Sequence, residues 1–196
     1  MAYSKENLSV KVALAAIFGA LYAISLLIFP YIQFYIWQVR YADCLLPLSF
    51  ILAFPSAVGL AIGCFIGNFF APLPFNLGPV DWFGGAITNF LAAYIGYQVE
   101  KRNNYKGLKR AIRTQLSISV QTLFNIFIVG TYLALLLGWP LYIGWLGLLI
   151  GSLISMNFLG FLIYEALRKT GLYEAESTTA NLKVAMNHIT RNFAHQ

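Results

Sequence analysis

Charge is what this chain lacks most. Of 196 residues only 10% are Asp, Glu, Lys or Arg, against about 25% in an ordinary soluble domain. A globular surface cannot be covered with so few charges, so the composition, 59% apolar and 16% aromatic, is that of an integral membrane protein. Histidine is scarce too: His188 and His195 both lie beyond the last apolar run, and a His/Cys metal site cannot be assembled in the membrane. The two cysteines, Cys44 and Cys64, sit in apolar surroundings, where small core residues are commoner than a disulfide or a metal pair. No GxxxxGK[ST], HExxH or GxSxG motif occurs. No enzyme centre and no cofactor is therefore expected, and ATP hydrolysis, if it drives this protein, belongs to another chain. No cleavable signal peptide is recognisable, because the apolar run after Lys5 and Lys11 is too long for one.

What is present is a succession of apolar segments. The first, Val12 to Phe29, has 18 residues, about 27 Å as a helix and enough for a bilayer core. Two pairs of small residues four apart run along it, Ala15/Gly19 and Ala16/Ala20, suited to close contact with another helix. Residues 31–42 mix aromatic and β-branched residues with Gln33, Gln38 and Arg40, the pattern of an extended interfacial segment. Asp43 to Phe54 is about 18 Å long as a helix and contains Pro47, so a short or broken helix buried among its neighbours is expected. Further spans are expected over Pro55–Ala71, Trp82–Val99, Leu116–Leu137 and Gly144–Leu167, with a Pro/Asn/Gly loop over 71–80. The fold class is all-α: a polytopic bundle of six membrane helices over residues 1–172, then a polar cytoplasmic tail over 173–196.

The net charge of +6 is a topology signal rather than a nucleic-acid one, because the basic residues fall between apolar segments. With the N-terminus inside and six crossings, 12 of the 13 Lys and Arg residues fall on the inner side and only Arg40 on the outer. Both termini are thus expected inside, in a plasma-membrane protein. Arg40, Asp43, Asn68 and Asp81 then converge at the outer face.

Those residues suggest a pocket. A carboxylate at the centre of a membrane helix costs roughly 2.5–3.5 kcal/mol, so Asp43 and Asp81 are either held at the interface or have a task. A direct Arg40–Asp43 pair is suggested by their three-residue spacing, and a helix N-cap by each Asp. Aromatic residues Trp37 and Trp82 together with Gln38, Arg40, Asp43, Asn68 and Asp81 describe a binding site for a flat, polar, ring-shaped ligand: rings stack, carboxylates accept from N–H groups, and Arg donates to carbonyls. Gln121, Asn125 and Asn157 are expected to make interhelical hydrogen bonds, and Glu165 to pair with Arg168 or Lys169.

The stretches QVRYADCLLPLSF, GLAIGCFIGNF and LGPVDWFGGAITNFLAAYIGY resemble the QueT family, the queuosine-precursor substrate-binding (S) components of energy-coupling factor transporters. Arg40, Gly59, Gly63, Cys64, Asn68, Gly78, Asp81 and Gly84 carry the resemblance, which covers about residues 38–97; the last two spans agree only in hydropathy. Where the family has Ser–Glu, this chain has Ala42–Asp43, one methylene shorter. The resemblance implies six helices, an outward pocket for a 7-deazaguanine base, and docking through Ala16 and Ala20 onto a membrane scaffold subunit that carries two ATPases. Other readings of the same residues are an S component for another vitamin or flat heterocycle, an intramembrane enzyme using Asp43 and Asp81 as an acid pair, and a membrane scaffold without a ligand.

Overall fold

The computed structural model describes residues 8–28, 30–33, 38–101 and 105–169. The expected tail over 173–196 and the expected pocket residue Trp37 lie outside the described residues. Among the described residues every regular element is a helix: α1 (Leu8–Ile28), the single turn α2 (Pro30–Gln33), a 3-10 helix (Tyr41–Leu48), α3 (Ser49–Phe69) and α4 (Pro79–Glu100). Two long rods follow. The first joins α5 (Gly107–Phe124) to α6 (Gly130–Leu137) through a π-helical turn, Asn125–Val129. The second joins α7 (Leu141–Ser152) to α8 (Phe161–Lys169) through a π-helical stretch, Leu153–Gly160. Four of these helices are long and apolar enough to cross a membrane: Lys11–Ile28, Tyr41–Phe69, Gly107–Leu137 and Leu141–Lys169. Their outward faces carry Ile17, Ile24, Ile62, Leu135 and Phe158, all more than half exposed, as suits helices that meet lipid.

The helix Tyr41–Phe69 is broken at Ala53, whose backbone (φ 53°, ψ −135°) lies outside the helical region. Pro55 follows two residues later; its missing N–H and fixed φ suit the first turn of a new helix and not the interior of an old one. The chain reverses there, and the Ser56 hydroxyl donates to the Ala53 carbonyl at 2.8 Å. The second helix is thus short, as its length suggested, and it is buried: Ala42, Asp43, Leu46, Pro47, Leu48, Ser49, Phe50 and Ile51 are all in the interior. Pro47, which cannot donate an α-helical hydrogen bond, falls in the tighter 3-10 part.

Glycines set the spacing of α1 and α3, which run parallel. Ala15 meets Gly59, Gly19 meets Gly63 and Leu26 meets Gly67; a Cβ on Gly63 would come within 2.9 Å of the Gly19 Cα. Close approach of two backbones is what small residues four apart permit. The Ala15/Gly19 pair is therefore used inside the chain, whereas Ala16 and Ala20 on the neighbouring stripe are exposed. Helix α4 runs antiparallel to α3, with Phe54 against Phe90 and Tyr94 at one end and Cys64 and Asn68 against Gly85 at the other.

Two sequence expectations are corrected. The extended interfacial segment expected over 31–42 is helical at its start, where residues 30–33 form a turn, because buried Gln33 supplies what the end of α1 needs: its Nε2 donates to the carbonyls of Ser25 (2.6 Å) and Leu26 (3.1 Å) and its Oε1 accepts from Ala42 N (3.4 Å). The helix expected from Leu116 begins at Gly107, and the one expected from Trp82 begins at Pro79. Hydropathy marks where a helix enters lipid, while the helix itself continues into its polar flank. At that flank Arg110 forks onto Glu165 (2.5 and 2.7 Å), which also accepts from Arg168, so the expected Glu165 pairing has a second and closer cation.

Candidate functional site

The site is assembled from five elements. Asn68, near the end of α3, is the joint. Its Oδ1 accepts from Arg40 Nη2 at 3.2 Å, and its Nδ2 donates to the main-chain oxygen of Asp81 at 3.1 Å. Arg40 Nη2 also approaches Cys64 Sγ at 3.5 Å, one turn below Asn68. Asp81 stands in the first turn of α4 and its Oδ1 accepts from the Tyr132 hydroxyl of α6 at 2.8 Å. Asp43, in the 3-10 helix, accepts from the Tyr22 hydroxyl of α1, and its backbone N donates to the Arg40 carbonyl at 2.9 Å. Arg40 lies close enough to act electrostatically on both carboxylates. Arg40, Asp43, Asn68 and Asp81 are 3%, 1%, 0% and 2% exposed, so all three charges are withdrawn from solvent.

Local sequence explains how each group is placed. Pro79 occupies the first turn of α4 and Gly78, with φ 84°, makes the corner before it. The loop between α3 and α4 is held by Asn76, whose Nδ2 donates to the Phe69 carbonyl (2.8 Å) while its Oδ1 accepts from Gly78 N (3.1 Å) and Trp82 Nε1 (2.9 Å). This Asx-type anchoring fixes where Asp81 starts. Gly85 leaves room for the joint: a Cβ there would lie 2.7 Å from Asn68 Nδ2.

Four of the expected pocket residues are therefore brought together, Arg40, Asp43, Asn68 and Asp81. The direct Arg40–Asp43 contact suggested by their spacing is replaced: the guanidinium reaches Asn68 and Cys64, and the Asp43 carboxylate reaches Tyr22. Neither Asp caps a helix, since the caps are Arg40 and Gly78 with no side-chain cap bond. Gln38 is buried, its main-chain oxygen accepts from Arg40 N (2.7 Å), and its Oε1 has no hydrogen-bond partner among the described residues. Trp82 is half-buried at the edge, its ring against Phe69 with centroids 4.8 Å apart and its N–H spent on Asn76. Tyr22 and Tyr132 were missed. Their signal was faint: each stands well inside an apolar run, away from the membrane interface where tyrosine commonly anchors, so its hydroxyl needs a buried partner.

The mid-helix amides do join helices. Gln121 Nε2 donates to the Leu46 carbonyl (3.2 Å), and Asn157 Nδ2 donates to Gln115 (3.1 Å) and Ser119 (3.2 Å) while its Oδ1 accepts from Thr122 (2.7 Å). Asn125 Nδ2 approaches the Met156 sulfur at 3.6 Å. Both thiols are free, and among the described residues no group of three His, Cys, Asp or Glu is placed to hold a metal ion.

Chemically, the site offers one guanidinium, two carboxylates, two phenol hydroxyls and two amides in a dry interior. That set can match a ligand edge with several N–H donors and a carbonyl. A family model described as QueT transporter matches residues 12–169. No curated protein and no solved structure matches the chain.

Proposed function

Because the chain belongs to the QueT transporter family, a family of membrane transporters and not of enzymes, we propose that it is the substrate-binding subunit of an energy-coupling factor transporter. It captures a 7-deazaguanine base, a precursor of queuosine or archaeosine, at the outer face of the plasma membrane, and partner subunits supply the ATP-driven step. The observation that carries this reading is the buried chain Arg40–Asn68–Asp81–Tyr132, with Asp43 beside it, in the stretch that resembles the family's pattern. A guanine-like ring has N–H donors for a carboxylate and a carbonyl for Arg40 or Asn68, and polar edges of this kind are what a dry site discriminates most sharply.

In this reading the chain crosses the membrane six times, with both termini inside. The distribution of Lys and Arg supports that orientation. Trp37, Gln38 and Trp82 complete the pocket, with a ring of the ligand against an aromatic face. Ala16 and Ala20, exposed on α1, dock onto the membrane scaffold subunit. No resident cofactor takes part.

Calorimetry on the detergent-purified chain tests the proposal, with 7-cyano-7-deazaguanine, 7-aminomethyl-7-deazaguanine, guanine and thiamin as the panel. Tight binding of a deazaguanine, lost in Asp81→Asn, is the expected result. Binding of thiamin instead would move the function to a different heterocycle, and binding of none would end the transporter-subunit reading.

A further inference from the structure

The end of the bundle where α4 stops and α5 begins carries cations that the chain does not balance. Residues 101–113 contain six Lys or Arg and no Asp or Glu. Arg110 forks onto Glu165, and the Lys101 ammonium lies over the Tyr97 ring, 5.7 Å from its centroid. Lys106, Lys109 and Arg113 have no ion-pair partner among the described residues. They stand at the start of α5, whose first turn holds no acidic residue. That end of a helix is its positive pole and favours negative charge. Three unpaired cations beside it call for an anion from outside the chain.

The face these residues occupy says what kind of anion. At about 100° per residue, positions 106, 109 and 113 fall on one side of the helix, within roughly 60° of one another. The stripe beside them is apolar and uncovered: Leu108, Ile112 and Leu116 are all more than half exposed, Leu108 at 77%. It continues up the rod through Leu123 and Phe127, the surface that meets lipid. Depth agrees with this. The rod Gly107–Leu137 has 31 residues, about 46 Å at 1.5 Å per residue, against a hydrocarbon core of about 30 Å. Its first turn therefore stands at the level of the lipid headgroups. An apolar stripe beside a basic one at that depth matches an acyl chain beside a phosphate.

We propose that this part of α5 is a binding site for an anionic glycerophospholipid. The phosphate meets Lys106, Lys109 and Arg113, and an acyl chain lies along Leu108, Ile112 and Leu116. Half-buried Arg113 supplies the planar fork that can pair two phosphate oxygens, and the two exposed lysines add charge without fixed geometry. A free anion such as inorganic phosphate fits less well, because it leaves the adjoining apolar stripe bare. A zwitterionic headgroup brings its own ammonium and gains little from three cations. The site lies the length of α4 away from Asp81 and uses none of the residues gathered there.

Native mass spectrometry of the full chain in detergent tests this, with dioleoylphosphatidylglycerol and dioleoylphosphatidylcholine supplied in equal amounts. Thermal midpoints in nanodiscs of each lipid give a second reading. We expect the wild-type chain to retain phosphatidylglycerol about tenfold or more over phosphatidylcholine, and to melt higher in phosphatidylglycerol. The triple variant Lys106→Gln, Lys109→Gln, Arg113→Gln should lose both differences while keeping the wild-type midpoint in phosphatidylcholine. The double variant Lys11→Gln, Lys169→Gln, which removes two exposed cations from the same end but off this stripe, should keep both. Equal retention of the two lipids by the wild-type chain overturns the proposal. So does an equal loss in the double variant, which would make the preference a property of the overall charge at that end. Displacement of the lipid by an equal concentration of glycerol 3-phosphate overturns it too, by making this a site for a free anion. If the triple variant does not fold, the wild-type preference and the glycerol 3-phosphate competition decide alone.

Discussion

Tyr132 donates its hydroxyl to Asp81 Oδ1 at 2.8 Å, joining two helices whose contact residues are 51 positions apart in the chain. The bond occupies one of the two carboxylates of the site and fixes α6 against the start of α4. Asp43 has the same arrangement with Tyr22. Each acid is thus held by a phenol from a different helix, and the guanidinium acts on both.

Removing the Tyr132 hydroxyl leaves a buried carboxylate oxygen without its donor. Tyr132→Phe should lower stability by about 1–3 kcal/mol, measured as a fall in the thermal midpoint of the ligand-free protein. An unchanged midpoint would mean that this contact does not hold α6 to α4.

Asn68 makes two different uses of one amide, and no apolar residue of its size can do either. Asn68→Leu should weaken binding of the deazaguanine ligand at least tenfold, about 1.4 kcal/mol, because Arg40 loses the acceptor that aims it. Wild-type affinity in this variant, read by calorimetry, would place the ligand elsewhere.

The two small-residue stripes of α1 should separate cleanly by substitution. Gly63→Val forces a branched side chain onto the Gly19 backbone and should cost about 1–3 kcal/mol or more, seen as a lower thermal midpoint. Ala20→Val, on the exposed stripe, should leave the midpoint unchanged and reduce co-purification with the scaffold subunit. A stable Gly63→Val protein would contradict the close α1–α3 contact, and full co-purification of Ala20→Val would put the docking face elsewhere.

At the opposite end of the bundle, Glu165→Gln removes the carboxylate shared by Arg110 and Arg168. Both members of the closer pair are 16% exposed, so the expected loss is modest, about 1 kcal/mol. It should shrink as salt is raised, which denaturation at two ionic strengths would show.

Much of this could be read from residue order. Pro30, Pro47 and Pro55 marked the end of α1, the irregular second helix and the restart of α3, because proline acts locally. The glycines at 59, 63 and 67 stand four apart and so line one helix face that permits close contact, but periodicity does not identify the partner, and it took the fold to choose Ala15/Gly19 over Ala16/Ala20. The acids and Arg40 stood out by their rarity. Their partners did not: Tyr22 and Tyr132 come from α1 and α6, far apart in the chain, and look like any tyrosine in an apolar run. Asn76 read as one more turn residue, and its three bonds follow from the position of Trp82 in space. The turn at 30–33 was missed because Gln33 earns its place through carbonyls of the preceding helix, a contact invisible to alternation of polar and apolar residues.

The π-helical turn Asn125–Val129 amounts to one residue more than an α-helix needs over the same length. Because the surplus is taken up within that one turn, the halves of the rod on either side keep the phase of an uninterrupted helix, with Gln115 and Gln121 before the turn and Tyr132 after it. A protein lacking one residue of the turn would close it into regular α-helix and still present the phenol to Asp81. Between its polar ladder to Asn157 and the binding site, the rod therefore carries one residue of slack in length without any slack in direction.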